Sequence, residues 1–191
     1  MQNHFTKNLL PVKYGILLTL LTLVFGFGLG GAFGAFEDNI KGHLKVKAER
    51  VLASVYHGDE AKMKKVTGKS WVYFKRAHLH ANGLGAISLA LILFISFLAV
   101  DNRIKGVNAL CLGLGSVGYS IFWMFAGPTA PGTGSTGMAK ESLKWLAIPS
   151  AGLCIMGLAM VIAMVIMLLF ISDDSPTFLK KLKSKVFIAE K

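Results

Sequence analysis

Charged side chains are scarce in this sequence, since Asp, Glu, Lys and Arg together account for 16% of its 191 residues. A soluble domain carries about one quarter charged residues, so the apolar excess needs a surrounding other than a protein core. Three long apolar runs lack charge altogether, and a fourth contains only Lys144 near its start. Each run is long enough to cross the hydrocarbon core of a bilayer, which takes about 20 helical residues. The sequence therefore predicts an all-α integral membrane protein with four transmembrane helices, at residues 14–36, 79–100, 107–127 and 143–172.

Cysteine is also rare, and the two that occur, Cys111 and Cys154, both lie inside predicted spans. That placement and the absence of any C-x-x-C motif argue against a disulfide framework and a covalently attached c-type haem. Ion and proton pathways usually depend on intramembrane charge, which the spans lack, so a small transporter or channel ranks third among our hypotheses. The serines of the spans have no base at matching depth except histidine. We therefore do not expect an enzyme that acts on its own.

The charge that is present is mostly positive, with 21 Lys and Arg against 10 Asp and Glu and a formal net charge of +11. The basic residues flank the spans, which is the pattern that anionic lipid headgroups favour. No nucleic-acid recognition module accompanies them, so the expected partner is a bilayer with anionic headgroups and not nucleic acid. The lysine-rich tail and the neutral loop before the fourth span favour cytoplasmic termini, in what we take to be a bacterial plasma membrane.

The longest segment between spans, 37–78, carries an apolar stripe at helical spacing. The stripe predicts that the first helix continues beyond the membrane to about Tyr56, where the sequence HGDE turns the chain. We therefore expect an extramembrane helical hairpin between the first and second spans. The other segments are an N-terminal segment at 1–13, a Gly/Pro/Ser/Thr loop at 128–142 and a basic C-terminal tail at 173–191.

Glycine is abundant where the first span ends, and Gly26, Gly30 and Gly34 recur every four residues. Glycines at this spacing let another helix approach closely, and helix association in lipid depends on such contact. We predict a helix-packing seam here, which would serve contact with other membrane subunits or with a second copy of the chain. The alternative is a groove that admits a flat cofactor against bare backbone.

Polar residues inside the spans gather in the leaflet that faces the hairpin. Because helix direction alternates, this leaflet holds His78, His80 and Asn82 of the second span and Tyr119 of the third. It also holds Pro149, where we expect the fourth helix to kink. Positions i and i+2 of a helix lie about 200° apart, so the two histidines cannot both face the bundle. Ionisable groups at membrane depth are rare enough to be functional candidates.

These histidines suggest a haem, because histidine is a common axial ligand of haem iron. The tripeptide His80-Ala81-Asn82, which follows Arg76 and opens an apolar helix, resembles the His-Thr-Asn start of the low-spin-haem helix in cytochrome cbb3-type oxidases. The resemblance covers three positions, of which the middle one differs, and it implies His80 as a ligand of haem b iron. By elimination, His43 beside the apolar stripe is the expected second iron ligand, with Met124 or Met138 as softer alternatives.

Two hypotheses follow from these features. The first is a small membrane subunit of a respiratory or electron-transfer complex that holds haem b or a quinone in the hairpin-side leaflet. Its candidate binding residues are His78, His80, His43, Asn82 and Tyr119. The alternative is a non-catalytic structural subunit of a membrane complex, which packs through the glycine-rich face of the first span and holds no cofactor.

Overall fold

The computed structural model describes residues 4–172 and 175–187, and every regular element within them is a helix. Residues 1–3, and residues 173–174 and 188–191 of the predicted basic tail, lie outside the described residues. The helices are α1 (His4–Leu9), α2 (Lys13–Glu49), α3 (Leu52–Tyr56), α4 (Glu60–Ser96), α5 (Asn102–Thr133), α6 (Thr136–Glu141), α7 (Lys144–Phe170) and α8 (Thr177–Val186), with a 3-10 turn at Leu10–Val12.

Four of these helices, α2, α4, α5 and α7, are long and apolar enough to cross a membrane. The prediction of an all-helical chain with four candidate transmembrane helices is therefore confirmed. Large apolar side chains cover the outward faces of α2 and α7, where Phe27 is 70% exposed and Ile155 is 68% exposed. A contiguous apolar surface of this kind is rare on soluble monomers and is typical of helices that contact lipid.

The first predicted span does not end where the apolar run ends, because α2 continues for more than three further turns, to Glu49. The helix bends at Phe36, whose φ of −131° and ψ of 21° lie outside the helical region. Residues 37–49 contain two Glu and three Lys, which are good helix formers, so the change in polarity does not stop the helix. The predicted boundary at 36 thus coincides with a kink inside one helix.

The end of α2, α3 and the first half of α4 form a helical hairpin. The chain turns at His57 and Gly58, which both adopt positive φ, and α4 then begins with Asp59 as its N-cap. The Asp59 carboxylate accepts a hydrogen bond of 2.8 Å from the backbone N–H of Lys62, which satisfies one of the free donors of the first turn. From there α4 runs without interruption through the predicted boundary at 78 and ends at Ser96.

Helix α5 is the central helix of the bundle and contacts α2, α4 and α7. More than half of its most apolar stretch, 56%, is buried, against 33% or less for the other three candidate spans. Small residues permit this close packing, since a Cβ at Gly115 would lie 2.6 Å from Cys154 Sγ and one at Gly157 would lie 2.7 Å from Leu112. Small residues at helix contacts are the usual means of helix association in membranes.

The segment predicted as a loop at 128–142 differs from expectation, because most of it is helical. Helix α5 runs through Pro128 and Pro131 and stops at Gly134, whose φ of 67° suits glycine. The hairpin supplies polar partners to this end of the helix: Lys47 Nζ donates to the Pro128 carbonyl at 2.6 Å and Tyr56 Oη to the Pro131 carbonyl at 2.8 Å. These contacts stabilise a helix end that two prolines would otherwise weaken.

Helix α7 runs without interruption through Pro149, where the sequence predicts a kink. Pro149 lies in the second turn, close to the N-terminus, where few hydrogen bonds precede it. The neighbouring Ser150 hydroxyl bonds within the helix, donating to the Leu146 carbonyl at 2.6 Å.

The two described ends of the chain meet the connection between α4 and α5. The Phe5 and Phe97 rings lie 5.8 Å apart, and the backbone N–H of Asp101 donates to the Val186 carbonyl at 2.9 Å. The hairpin lies at the opposite end of the bundle, since α2 leads to it and α4 leads back.

Candidate functional site

His78 lies on the face of α4 that packs against α2. Its Nδ1 is 2.8 Å from the backbone carbonyl of Gly26. A carbonyl oxygen only accepts, so Nδ1 carries the proton and the lone pair of the neutral ring remains on Nε2. A Cβ at Gly30 would lie 2.8 Å from His78 Cε1, so glycine at position 30 makes room for the imidazole.

Asn82 occupies the next turn of α4 and meets the next glycine of α2. A Cβ at Gly26 would lie 2.9 Å from Asn82 Cγ. One turn further along α4, Gly85 packs against the Leu23 side chain of α2. The Asn82 amide nitrogen, which can only donate, lies 3.2 Å from His78 Nδ1 and makes no hydrogen bond to it while Nδ1 donates to Gly26. The buried carbonyl oxygen of Asn82 has no hydrogen-bond partner among the described residues. The antiparallel helices therefore interlock, with large residues of one helix against small residues of the other.

Beside this seam the two helices leave a groove of about 440 Å³. The Phe33 ring forms part of one wall and contacts the rings of Trp71 at 5.1 Å and His78 at 6.1 Å. A Cβ at Gly34 would meet no atom within 4 Å, so this glycine leaves the groove open and takes no part in the packing seam. The groove is lined by Gly30, Phe33, Gly34, Glu37, Trp71, Lys75, His78 and Leu79, and we call it the histidine groove.

His80 faces a different neighbour, helix α5. Its Nδ1 donates to the Arg76 carbonyl at 2.7 Å, which leaves its lone pair on Nε2 as well. Its ring lies 5.1 Å from the Tyr119 ring and stacks at 5.9 Å on Trp123. The Arg76 guanidinium covers the other side of the cluster, 4.8 Å from the Trp123 ring, a cation–π distance.

The structure separates the histidines that the sequence suggests as ligands. His78 contacts α2, and His80 contacts α5. His43 is exposed on α2 beyond the kink, and no hydrogen bond or ring contact joins it to His80 among the described residues. Within residues 4–172 and 175–187, no group of three His, Cys, Asp or Glu side chains is placed to hold a metal ion.

The sequence reasoning missed the aromatic and charged residues of the histidine groove. Helical spacing could have identified them, because Trp71, Lys75 and His78 are four and three residues apart and so share one face of a helix. It also missed Asn108, which is fully buried in α5 and donates from Nδ2 to the Gly157 carbonyl of α7 at 2.8 Å. This bond is a polar contact between two candidate spans, and such contacts help to hold membrane helices together.

No family model, no curated protein and no solved structure matches this chain. The interpretation of the histidine groove therefore depends on its geometry and chemistry.

Proposed function

We propose that the chain is a small membrane subunit of an electron-transfer complex and that its histidine groove binds a quinone or quinol. The observation that carries the proposal is the position of His78 at a groove that aromatic side chains and glycines line. Its Nδ1 donates to the Gly26 carbonyl, so the lone pair on Nε2 is free to accept a proton. Flat rings fit between aromatic side chains and bare backbone, and pockets of this size and composition commonly bind small molecules.

The proton chemistry of the groove suits quinol oxidation. A quinol hydroxyl donates to the Nε2 lone pair, and His78 takes its proton as the ring is oxidised. Oxidation of a quinol releases an electron pair and a pair of protons, so the complex needs an electron acceptor in a partner subunit. Lys75 lines the same groove and donates to the second ring oxygen, and the Glu37 carboxylate, which also lines the groove, accepts the second proton.

Haem b is the second ligand that this chemistry allows. A backbone carbonyl that holds the Nδ1 proton is the usual support of a histidine that ligates a metal through Nε2, and both His78 and His80 have it. Each histidine offers one ligand only, because they face different helices and His43 is exposed. A second axial ligand would have to come from a partner subunit, so quinone fits this chain better.

The proposed setting is a bacterial plasma membrane with anionic headgroups. We place the apolar parts of α2, α4, α5 and α7 in the bilayer, the hairpin outside and the termini in the cytoplasm. The histidine groove then lies near the membrane surface on the hairpin side, where α2 bends at Phe36. Leu79 lines the groove and is 64% exposed, so an isoprenoid tail can pass along it into the lipid. The partners are other membrane subunits or a second copy, and nucleic acid has no role.

A pair of glycine variants tests the quinone proposal. A Cβ at Gly34 or at Gly28 meets nothing within 4 Å, but only Gly34 lines the groove, so Gly34→Leu places its side chain in the groove and Gly28→Leu does not. In nanodiscs we expect Gly34→Leu to weaken the binding of a short-chain quinone at least about tenfold, which is about 1.4 kcal/mol, and Gly28→Leu to bind like wild type. Equal binding by both variants, or none by wild type, would refute the proposal.

A structural subunit is the second candidate, because α2 exposes further glycines. Gly26 and Gly30 are covered by α4 of the same chain, but Gly28 and Gly31 are exposed and meet nothing within 4 Å. That open backbone suits the close approach of a partner helix. If scaffolding is the main role, Gly31→Leu will release co-purifying subunits or dissociate an oligomer, while His78→Ala leaves the assembly intact.

A further inference from the structure

The hairpin contains a second cavity, separate from the histidine groove. It has a volume of about 290 Å³ and lies between the part of α2 beyond the kink and the first half of α4. Leu44 and Met63 are both 4% exposed and form its inner surface, and Thr67, Gly68 and Trp71 complete the walls. The lining is almost wholly apolar, so water molecules inside the cavity would find few hydrogen-bond partners.

The mouth of this cavity is basic. Lys41, Lys45 and Lys64 line it, and no acidic side chain does. The ammonium of Lys41 lies 5.4 Å from the centre of the Trp71 ring, at the border between the basic mouth and the apolar interior.

Each of these lysines has a glutamate partner one turn away on its own helix. Lys45 and Glu49 are 3.6 Å apart, Lys64 and Glu60 are 3.7 Å apart, and Lys41 pairs with Glu37. All of these side chains are about half exposed or more. Exposed pairs of this kind contribute little stability, typically about 0–1 kcal/mol, so another anion can replace the glutamate at small cost.

We propose that this cavity binds a single-chain anionic amphiphile, a fatty acid, with its aliphatic chain inside and its carboxylate among the three lysines. An apolar interior with a basic mouth is complementary to a long apolar chain that ends in one negative charge. The volume accommodates one aliphatic chain and is too small for the two chains and glycerol of a phospholipid. This proposal does not depend on the proposed quinone site, although Trp71 lines both the cavity and the histidine groove.

The test uses dodecanoic acid with a terminal bromine, which quenches tryptophan fluorescence, and the full chain in nanodiscs of zwitterionic lipid. We expect saturable quenching that is lost in Trp71→Phe. Gly68→Phe fills the cavity, while Gly42→Phe is the matched control, since a Cβ at either glycine meets nothing within 4 Å and only Gly68 lines the cavity. Gly68→Phe should raise the apparent Kd at least about tenfold, and Gly42→Phe should leave it unchanged.

Two further experiments test whether the three lysines bind the carboxylate and whether the cavity and the histidine groove are separate sites. Replacing all three lysines by glutamine, or the acid by its methyl ester, should also weaken binding about tenfold. Gly34→Leu, which blocks the histidine groove, should bind the brominated acid like wild type. Quenching that does not saturate, or that is the same in Gly68→Phe and Gly42→Phe, would overturn the proposal. So would an ester that binds as well as the acid.

Discussion

The imidazole of His78 occupies the space that a side chain at position 30 would fill. Its hydrogen bond to Gly26 needs the same close approach of α2 and α4 that the glycines provide. The seam and the candidate ligand are therefore one structural feature, because a wider helix separation would lose both. A satisfied Nδ1 also fixes the ring orientation, which is a condition for a precise proton acceptor.

The tautomer of His78 is directly measurable. We predict that nitrogen NMR of the chain labelled at its histidine nitrogens shows a proton of the His78 ring on Nδ1, because the Gly26 carbonyl accepts from that atom. A His78 ring that carries its proton on Nε2 would contradict the proposed role, since Nε2 would then have no lone pair to accept a quinol proton.

The seam glycines are expected to tolerate no larger residue. Gly26→Leu collides with Asn82 and Gly30→Leu collides with His78, so each should destabilise the chain by about 1–3 kcal/mol, the usual cost of overpacking. Gly31→Leu is the control, since its Cβ would meet nothing within 4 Å. The measurement is unfolding in detergent by circular dichroism, and equal stability of all three variants would show that the seam does not form.

Helix boundaries were the part of the fold that local sequence could not determine. Hydropathy identified the four candidate spans, and the turn residues at His57 and Gly58 marked the hairpin. The prolines at 128 and 131 predicted a loop, yet Lys47 and Tyr56, which are distant in sequence, bond to the carbonyls of this helix end. Similarly, spacing showed that His78 and His80 face apart, but only the packed helices show which one faces α2.

The contact between the hairpin and α5 leads to a prediction about Tyr56. Tyr56 is 1% exposed, and its hydroxyl donates to the Pro131 carbonyl at 2.8 Å. Tyr56→Phe leaves that carbonyl without its partner and should cost about 1–3 kcal/mol at neutral pH. The measurement is thermal unfolding beside Tyr14→Phe, an exposed tyrosine, as the control.

The same contact makes stability depend on alkaline pH. Burial raises the pKa of the Tyr56 hydroxyl above its ordinary value of 10.0. The neutral form is therefore favoured in the folded state, and its contribution is present below pH 10.0 and is lost as pH rises through the higher folded pKa. We expect this loss in wild type and a weaker pH dependence in Tyr56→Phe. Identical alkaline profiles would contradict the assignment.

The molecule as a whole has a polar, basic hairpin at one end and both described chain ends at the other. If the bundle spans the membrane, those ends lie on opposite sides of it. We predict that Ser54→Cys in the hairpin reacts with an impermeant maleimide on intact cells and that Ser184→Cys in α8 reacts only after permeabilisation. Both require a background with Cys111 and Cys154 replaced by alanine. Labelling of both positions from the same side would contradict the proposed topology.

The central claim is that a quinone ring binds between α2 and α4 beside His78, and photo-crosslinking tests it most directly. A quinone that carries an azide on its ring would be irradiated with the chain in nanodiscs, and the labelled residues would be identified by mass spectrometry. We predict labels at residues 33–37 of α2 and 71–79 of α4, which excess unlabelled quinone prevents and Gly34→Leu abolishes. Labels confined to the lipid-facing surface of α7, or unchanged by competing quinone, would contradict the account.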